Sequence, residues 1–221
     1  MKNSILIVIA LAVIALAATL LRPTTGERNT QAITGLPWQI EILPDGHSKV
    51  FGLTLGASTL GDARQRFGPD MEVAVISAPG EAGSLEAYYP QVTAGVLTGK
   101  MILTAALDKE SVEGMRQRAV KKQHMESSTR KFSLDPDDLA QAYDTLIESI
   151  TFIPSASFDA DIAVSHFGQP AERIRMSERA ENLLYPAQGL ALTLDSEGKE
   201  ILQYVAPRHF ARLRDPLLKN H

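Results

Sequence analysis

The chain has no cysteine in its 221 residues, and it has only one tryptophan. Without cysteine, disulfide bonds, thiolate metal sites and lipid attachment to an N-terminal cysteine are all excluded. The sequence also lacks a strong excess of either charge, since its net charge is −4 at pH 7. A slightly acidic chain argues against general nucleic-acid binding. Side-chain packing therefore has to hold the fold together.

One long uncharged stretch runs from Ile5 to Leu21, near the N-terminus. At about 1.5 Å per residue in a helix, it covers roughly 25 Å of a hydrocarbon core near 30 Å. A cleaved signal peptide is the alternative, with small residues at 15–17 as its cleavage site. We favour an uncleaved signal anchor over residues 1–22, because the hydrophobicity continues where a cleavage region should turn polar.

The sequence repeats itself at a spacing of about one hundred residues. Each copy predicts a short helix that ends at a glycine, followed by antiparallel strands. A repeat of this kind points to architecture rather than to function. The matching residues are Ala63, Phe67 and Gly68 with Ala163, Phe167 and Gly168, Tyr89 with Tyr185, and the run from Gly99 to Leu103 with the run from Gly198 to Leu202.

Residues 108–149 separate the two copies and are predicted to form a helical spacer. Asp135 and Pro136 are typical of a helix start, and apolar side chains recur at helical spacing up to Ile150. The predicted fold class is α+β, with a single N-terminal transmembrane helix followed by two tandem helix-plus-antiparallel-meander repeats joined by the helical spacer. The predicted segments are the anchor at 1–22, a linker at 23–35, the first repeat at 36–107, the spacer at 108–149, the second repeat at 150–206 and a tail helix at 207–221.

Each copy carries a helix-ending motif, a tyrosine-bearing strand and a glycine turn. These motifs are Phe167-Gly168-Gln169-Pro170, Tyr185-Pro186 and the run from Leu190 to Lys199 in the second copy, and Phe67-Gly68-Pro69, Tyr88-Tyr89 and Gly99-Lys100 in the first. With these motifs, each half resembles the SmpA/OmlA family, the small outer-membrane lipoproteins of the β-barrel assembly machinery. A tandem pair is also similar to the fold of the secreted β-lactamase-inhibitor proteins, which are non-enzymatic binders. The resemblance covers about half of the chain beyond the anchor.

The resemblance implies a protein of a Gram-negative-type envelope that binds other proteins without catalysis. Because the chain lacks the acylated cysteine of the lipoprotein family, we predict a single-pass protein of the bacterial inner membrane with a periplasmic ectodomain. Its expected function is to bind another envelope or membrane protein, or to stabilise a membrane complex. The alternative is a periplasmic carrier or sensor of a hydrophobic ligand, which would need a cavity between sheet and helices.

No motif in the sequence predicts an enzyme, a cofactor or a metal site. The run from Gly95 to Met101 is one residue short of a phosphate-binding loop, and the run from Gly56 to Gly61 is one residue too long for a nucleophile elbow. The five histidines show no metal-ligand spacing. Acidic pairs such as Asp159 and Asp161 fall at predicted helix starts, where carboxylates stabilise the helix. We therefore expect a non-catalytic protein without a cofactor.

Three tyrosines are candidates for partner binding. Tyr88, Tyr89 and Tyr185 lie at matched strand ends, where aromatic rings on a continuous sheet could form a binding face. Packing of these rings in the core is the alternative. Phe67 and Phe167, which end the two predicted helices, are expected to be buried core residues.

A basic stretch in an otherwise acidic chain is the second candidate. It includes Arg116, Arg118, Lys121 and Lys122, which we predict to face an acidic partner or an anionic lipid surface. A solvated helix face is the alternative interpretation for such a run.

Overall fold

A ten-stranded antiparallel sheet dominates the fold. The computed structural model describes residues 34–125 and 129–219. A smaller sheet consists of the short strands Glu41–Ile42 (β1), Ser48–Val50 (β2) and Leu53–Thr54 (β3). The strands of the large sheet are Glu72–Ser77 (β4), Ser84–Ala94 (β5), Leu97–Ala105 (β6), Lys121–His124 (β7), Arg130–Ser133 (β8), Ile147–Pro154 (β9), Glu172–Arg175 (β10), Ala180–Tyr185 (β11), Leu190–Asp195 (β12) and Ile201–Val205 (β13).

Four helices begin at a side chain that caps their free amide groups. Thr59 accepts a hydrogen bond from the Asp62 amide at 3.1 Å, and Asp62 accepts one from the Thr59 amide at 2.8 Å. Asp108, Asp135 and Asp159 cap the next three helices. The α-helices of the described part are Leu60–Phe67 (α1), Lys109–Arg118 (α2), Pro136–Tyr143 (α3), Ala160–Phe167 (α4) and Ala211–Lys219 (α5).

Strand β9 lies at the centre of the large sheet and joins its two halves. The strand order is β10-β11-β12-β13-β9-β6-β5-β4-β8-β7, and β9 pairs with β13 on one side and with β6 on the other. We call β4 to β8 the first half of the sheet and β10 to β13 the second half. Each half follows its own short helix, α1 or α4.

The inner face of the large sheet carries the main hydrophobic core. Buried side chains of α1 to α4 and of the small sheet belong to the same cluster as this face. Phe152 of β9 lies in its middle, and its ring is 5.2 Å from that of Phe51, which is 5.4 Å from the ring of Tyr204. The Tyr204 hydroxyl donates a hydrogen bond to the Pro37 carbonyl at 3.1 Å. The polar atom of this buried ring is therefore satisfied.

The repeated residues take matching positions at the start of each half. The ring centres of Phe67 and Tyr89 lie 5.8 Å apart, and those of Phe167 and Tyr185 lie at the same distance. The third repeated motif does not match, because Gly99 lies inside β6 whereas the second copy's glycine lies in the loop before β13. The two halves therefore begin alike and diverge later.

The predicted fold class, α+β repeats joined by a helical spacer, is wrong. The described chain is mostly β-sheet, and ten strands form one continuous sheet instead of two separate units. Residues 108–149 contribute β7, β8 and the start of β9 in addition to α2 and α3. The helix predicted to reach Ile150 ends at Tyr143. Ile150 instead lies in β9, where buried and half-exposed side chains alternate with the period of a strand.

The predicted membrane anchor is also corrected. Within 34–125 and 129–219, no helix has the length and hydrophobicity needed to cross a membrane. The anchor predicted at 1–22 and most of the linker at 23–35 lie outside the described residues. The transmembrane helix, the signal anchor and the single-pass inner-membrane location with a periplasmic ectodomain therefore have no support in the structure.

Candidate binding surface

The outer face of the large sheet, opposite the core, is covered over its second half by helix α5. Leu213 and Leu217 of the helix, together with Phe210 just before it, pack against apolar side chains of the second half. Two arginines at the edge of the helix form ion pairs with the sheet, Arg214 with Glu172 and Arg212 with Glu148, each at 2.7 Å. The chain thus covers this part of the sheet with its own amphipathic helix.

The first half of the outer face carries an open groove instead. Its volume is about 440 Å³, and its floor consists of side chains from β4, β5, β6 and β9. Apolar and charged side chains are interleaved on this floor, since Tyr88 is the register partner of Glu72 and Ala74 that of Glu86. The lining residues are Glu72, Ala74, Ile76, Glu86, Tyr88, Lys100, Ile102, Met125, Lys131 and Ile153.

Two acids and two lysines set the charge of the groove. Lys131 forms an ion pair with Glu72, whose side chain remains 57% exposed. Glu86 accepts a hydrogen bond from the Ser84 hydroxyl at 2.7 Å. Burial raises the pKa of the Glu86 carboxyl, and the hydrogen bond from Ser84 acts in the opposite direction. A partly desolvated carboxyl group therefore lies beside an apolar floor.

The raised pKa of Glu86 leads to a pH-dependent prediction. Because the folded protein disfavours the ionised carboxyl, wild type loses stability as the pH rises from about 4 through this raised pKa. Glu86→Gln removes that loss, so the variant should gain stability over wild type between about pH 4 and pH 7. Urea unfolding of both proteins across this range, followed by Trp38 fluorescence, measures the difference.

Glu113→Gln is the control with the opposite sign. Hydrogen bonds from Arg116 and Gln117 lower the pKa of the Glu113 carboxyl, so its ionised form contributes stability that is lost as the pH falls. This variant should lose stability against wild type as the pH rises. A pH-independent difference for Glu86→Gln would contradict the assignment of a desolvated carboxyl in the groove.

The structure separates the three candidate tyrosines. Tyr88 lies on the outer face and lines the groove. Tyr89 points to the inner face, is fully buried, and donates a hydrogen bond from its hydroxyl to the Gly68 carbonyl at 3.4 Å. Burial raises the pKa of Tyr89 to about 12. Tyr185 is also buried in the core. Only Tyr88 is therefore placed where a partner can contact it.

The candidate basic residues lie away from the floor of the groove. Arg118 donates two hydrogen bonds to the buried carboxylate of Asp138, at 3.0 and 2.6 Å. Arg116 pairs with a glutamate of its own helix, while its guanidinium lies 5.8 Å from the ring centre of Phe132. The Lys122 ammonium group lies 5.5 Å from the same ring centre. Lys121 is exposed on β7. The arginines therefore have structural contacts within the chain.

Sequence reasoning missed most of the groove. Ile76, Ile102 and Ile153 occupy strand positions that alternate with core residues. Their alternation in the sequence was a usable signal for a second sheet face. It could not reveal which part of that face stays uncovered, because this depends on where α5 packs.

In the ranges 34–125 and 129–219, no three acidic or histidine side chains converge as metal ligands. The chain matches no known protein-family model. It has no significant match among curated proteins or among solved structures. The resemblance to the assembly lipoproteins and to the β-lactamase-inhibitor fold therefore stays a prediction.

Proposed function

We propose that this protein is a non-catalytic module that binds another protein through the groove on the first half of the outer face. The observation that carries this proposal is the difference between the two halves of one sheet face. Helix α5 covers the second half, whereas the groove leaves Ile76, Tyr88 and Ile102 lining an open surface. Aromatic and aliphatic side chains combined with a few polar groups are the usual composition of a protein interface.

The position of Tyr88 supports a protein partner. Tyrosine is enriched among the residues that dominate binding energy, because a rigid ring supplies apolar area and a hydroxyl for hydrogen bonding. Here the ring lies between Glu72 of β4 and Ile102 of β6, its register partners on the two neighbouring strands. A hydrogen-bonded sheet holds these side chains in place before the partner arrives, which lowers the entropy lost on binding.

Ile102→Glu should weaken partner binding by about tenfold or more, because it places a charge in the middle of the apolar floor. Val96→Glu is the matched control, since it makes the same change at a 68% exposed turn position. A tagged full-length chain captures the partner, and calorimetry with the purified partner then gives the affinity of each variant. Equal affinity of wild type and Ile102→Glu would contradict the proposed surface.

A further inference from the structure

The groove and the surface under α5 are equivalent positions of the two halves. On the first half, Tyr88 is the register partner of Glu72 on one side and of Ile102 on the other. On the second half, Leu184 is the partner of Glu172 and of Ala191. Because both strand pairs are antiparallel and their acids follow matching helices, Glu72 corresponds to Glu172 and Ile102 to Ala191.

The same correspondence extends along β4 and across to β9. Residues two and four places after Glu72 correspond to those after Glu172. Met101 is the register partner of Phe152, and Leu190 is the partner of Tyr204, so the residue after each corresponds as well. The floor residues of the groove and their counterparts are Ala74 with Ile174, Ile76 with Met176, Tyr88 with Leu184, Ile102 with Ala191 and Ile153 with Val205.

All five counterparts belong to the apolar cluster that α5 covers. Leu213 and Leu217 of α5 and the helically oriented Phe210 just before it are spaced by three and four residues, which places them on one face. Arg214 donates two hydrogen bonds to Glu172, at 2.7 and 3.3 Å. The second half therefore shows which kind of segment its outer face binds, namely an amphipathic helix with an arginine beside its apolar stripe.

We propose that the groove binds an amphipathic helix of the partner protein, in the place that α5 occupies on the second half, with an arginine directed at Glu72. This inference rests on the proposed function and names the chemistry of its partner. Glu72 already pairs with Lys131, but its side chain is 57% exposed, so the carboxylate has room and free lone pairs for a second cation.

A synthetic peptide of residues 207–219 is the probe, because it carries the apolar stripe and the arginine of α5. The chain has no cysteine, so a dye can be attached at one introduced thiol in the full-length protein. Thr104→Cys places the dye beside the groove, opposite Glu86. Its counterpart Thr193→Cys, opposite Asn182, reports on the half that α5 covers.

We expect the peptide to give a saturable dye signal at Thr104→Cys, and its affinity to fall about tenfold when Ile102→Glu is added. We also expect Glu72→Gln to lower the affinity for the wild-type peptide several-fold more than it lowers the affinity for a peptide with Arg214→Gln. This difference is the pairwise coupling that a double-mutant cycle measures. No saturable signal up to about 1 mM peptide would overturn the inference. A signal only at Thr193→Cys would also overturn it, because the peptide would then be replacing α5.

Two further outcomes distinguish this inference from the proposed function. If partner affinity depends on Ile102 while the peptide fails to bind, the helical ligand is wrong and the protein-binding groove stands. If partner affinity does not depend on Ile102, the proposed function is wrong whatever the peptide does.

Sedimentation of the full-length chain tests a second copy as the occupant. A dimer that dissociates on Ile102→Glu would overturn the partner helix.

Discussion

Phe152→Ala is expected to lower the free energy of unfolding by about 3–5 kcal/mol, because it leaves a cavity at the centre of the sheet. Phe152 is fully buried on β9, the strand that joins the two halves. Its register partners are Met101 on β6 and Leu202 on β13, and its ring contacts that of Phe51. Strands on both sides hold the backbone in place, so the site cannot collapse around the missing ring.

Phe67→Ala is the matched control for that loss. The sequence predicts Phe67 and Phe167 to be equally buried, but the structure leaves Phe67 only half-buried at the end of α1 while Phe167 is buried. The Phe67 variant should therefore lose only about 1–2 kcal/mol. Denaturant unfolding followed by Trp38 fluorescence measures both variants. A loss below about 1 kcal/mol for Phe152→Ala would contradict the central position of this ring.

Gly189→Ala is expected to lower the free energy of unfolding by about 2–5 kcal/mol, from backbone strain and a steric contact together. Gly189 has a φ of 67° and a ψ of 28°, which is the left-handed region. A Cβ atom there would lie 2.0 Å from the Val205 carbonyl oxygen. The Val205 amide donates a hydrogen bond to the Gly189 carbonyl at 2.9 Å, so the two segments cannot separate without breaking it.

Gly80→Ala separates the two contributions. Gly80 also has a positive φ, of 83°, but no atom lies within 4 Å of a Cβ atom added there. This control should lose only about 1–2 kcal/mol, the cost of the left-handed conformation. Thermal and denaturant unfolding of the two variants give the comparison. Equal losses would show that the contact with Val205 relaxes freely.

Local signals predicted the starts of the elements better than their number. Asp135 and Pro136 begin α3 as expected, because capping depends on residues within one turn. Strand β7 was missed, since Lys-Lys-Gln-His has neither an apolar face nor β-branched residues. Its strand conformation depends on pairing with β8, a contact that appears only after the intervening loop closes.

The candidate site divides in the same way. Tyr88 could be selected because the repeat places tyrosines at matched strand ends. Ile102 and Ile153 could not, because their exposure depends on which half of the outer face receives α5. That choice is made by contacts between residues far apart in the chain, such as Arg214 with Glu172.

The two ends of the large sheet are protected by charge. Strands β7 and β10 are the edges, and each would offer unpaired backbone groups to a strand from another molecule. All four side chains of β7 are exposed, including Lys121 and Lys122, and β10 carries Glu172, Arg173 and Arg175. Lysine and other charged residues on edge strands discourage intermolecular sheet extension. The lysines of β7 thus disfavour edge-to-edge pairing with another molecule, which leaves the outer face as the open surface of the first half.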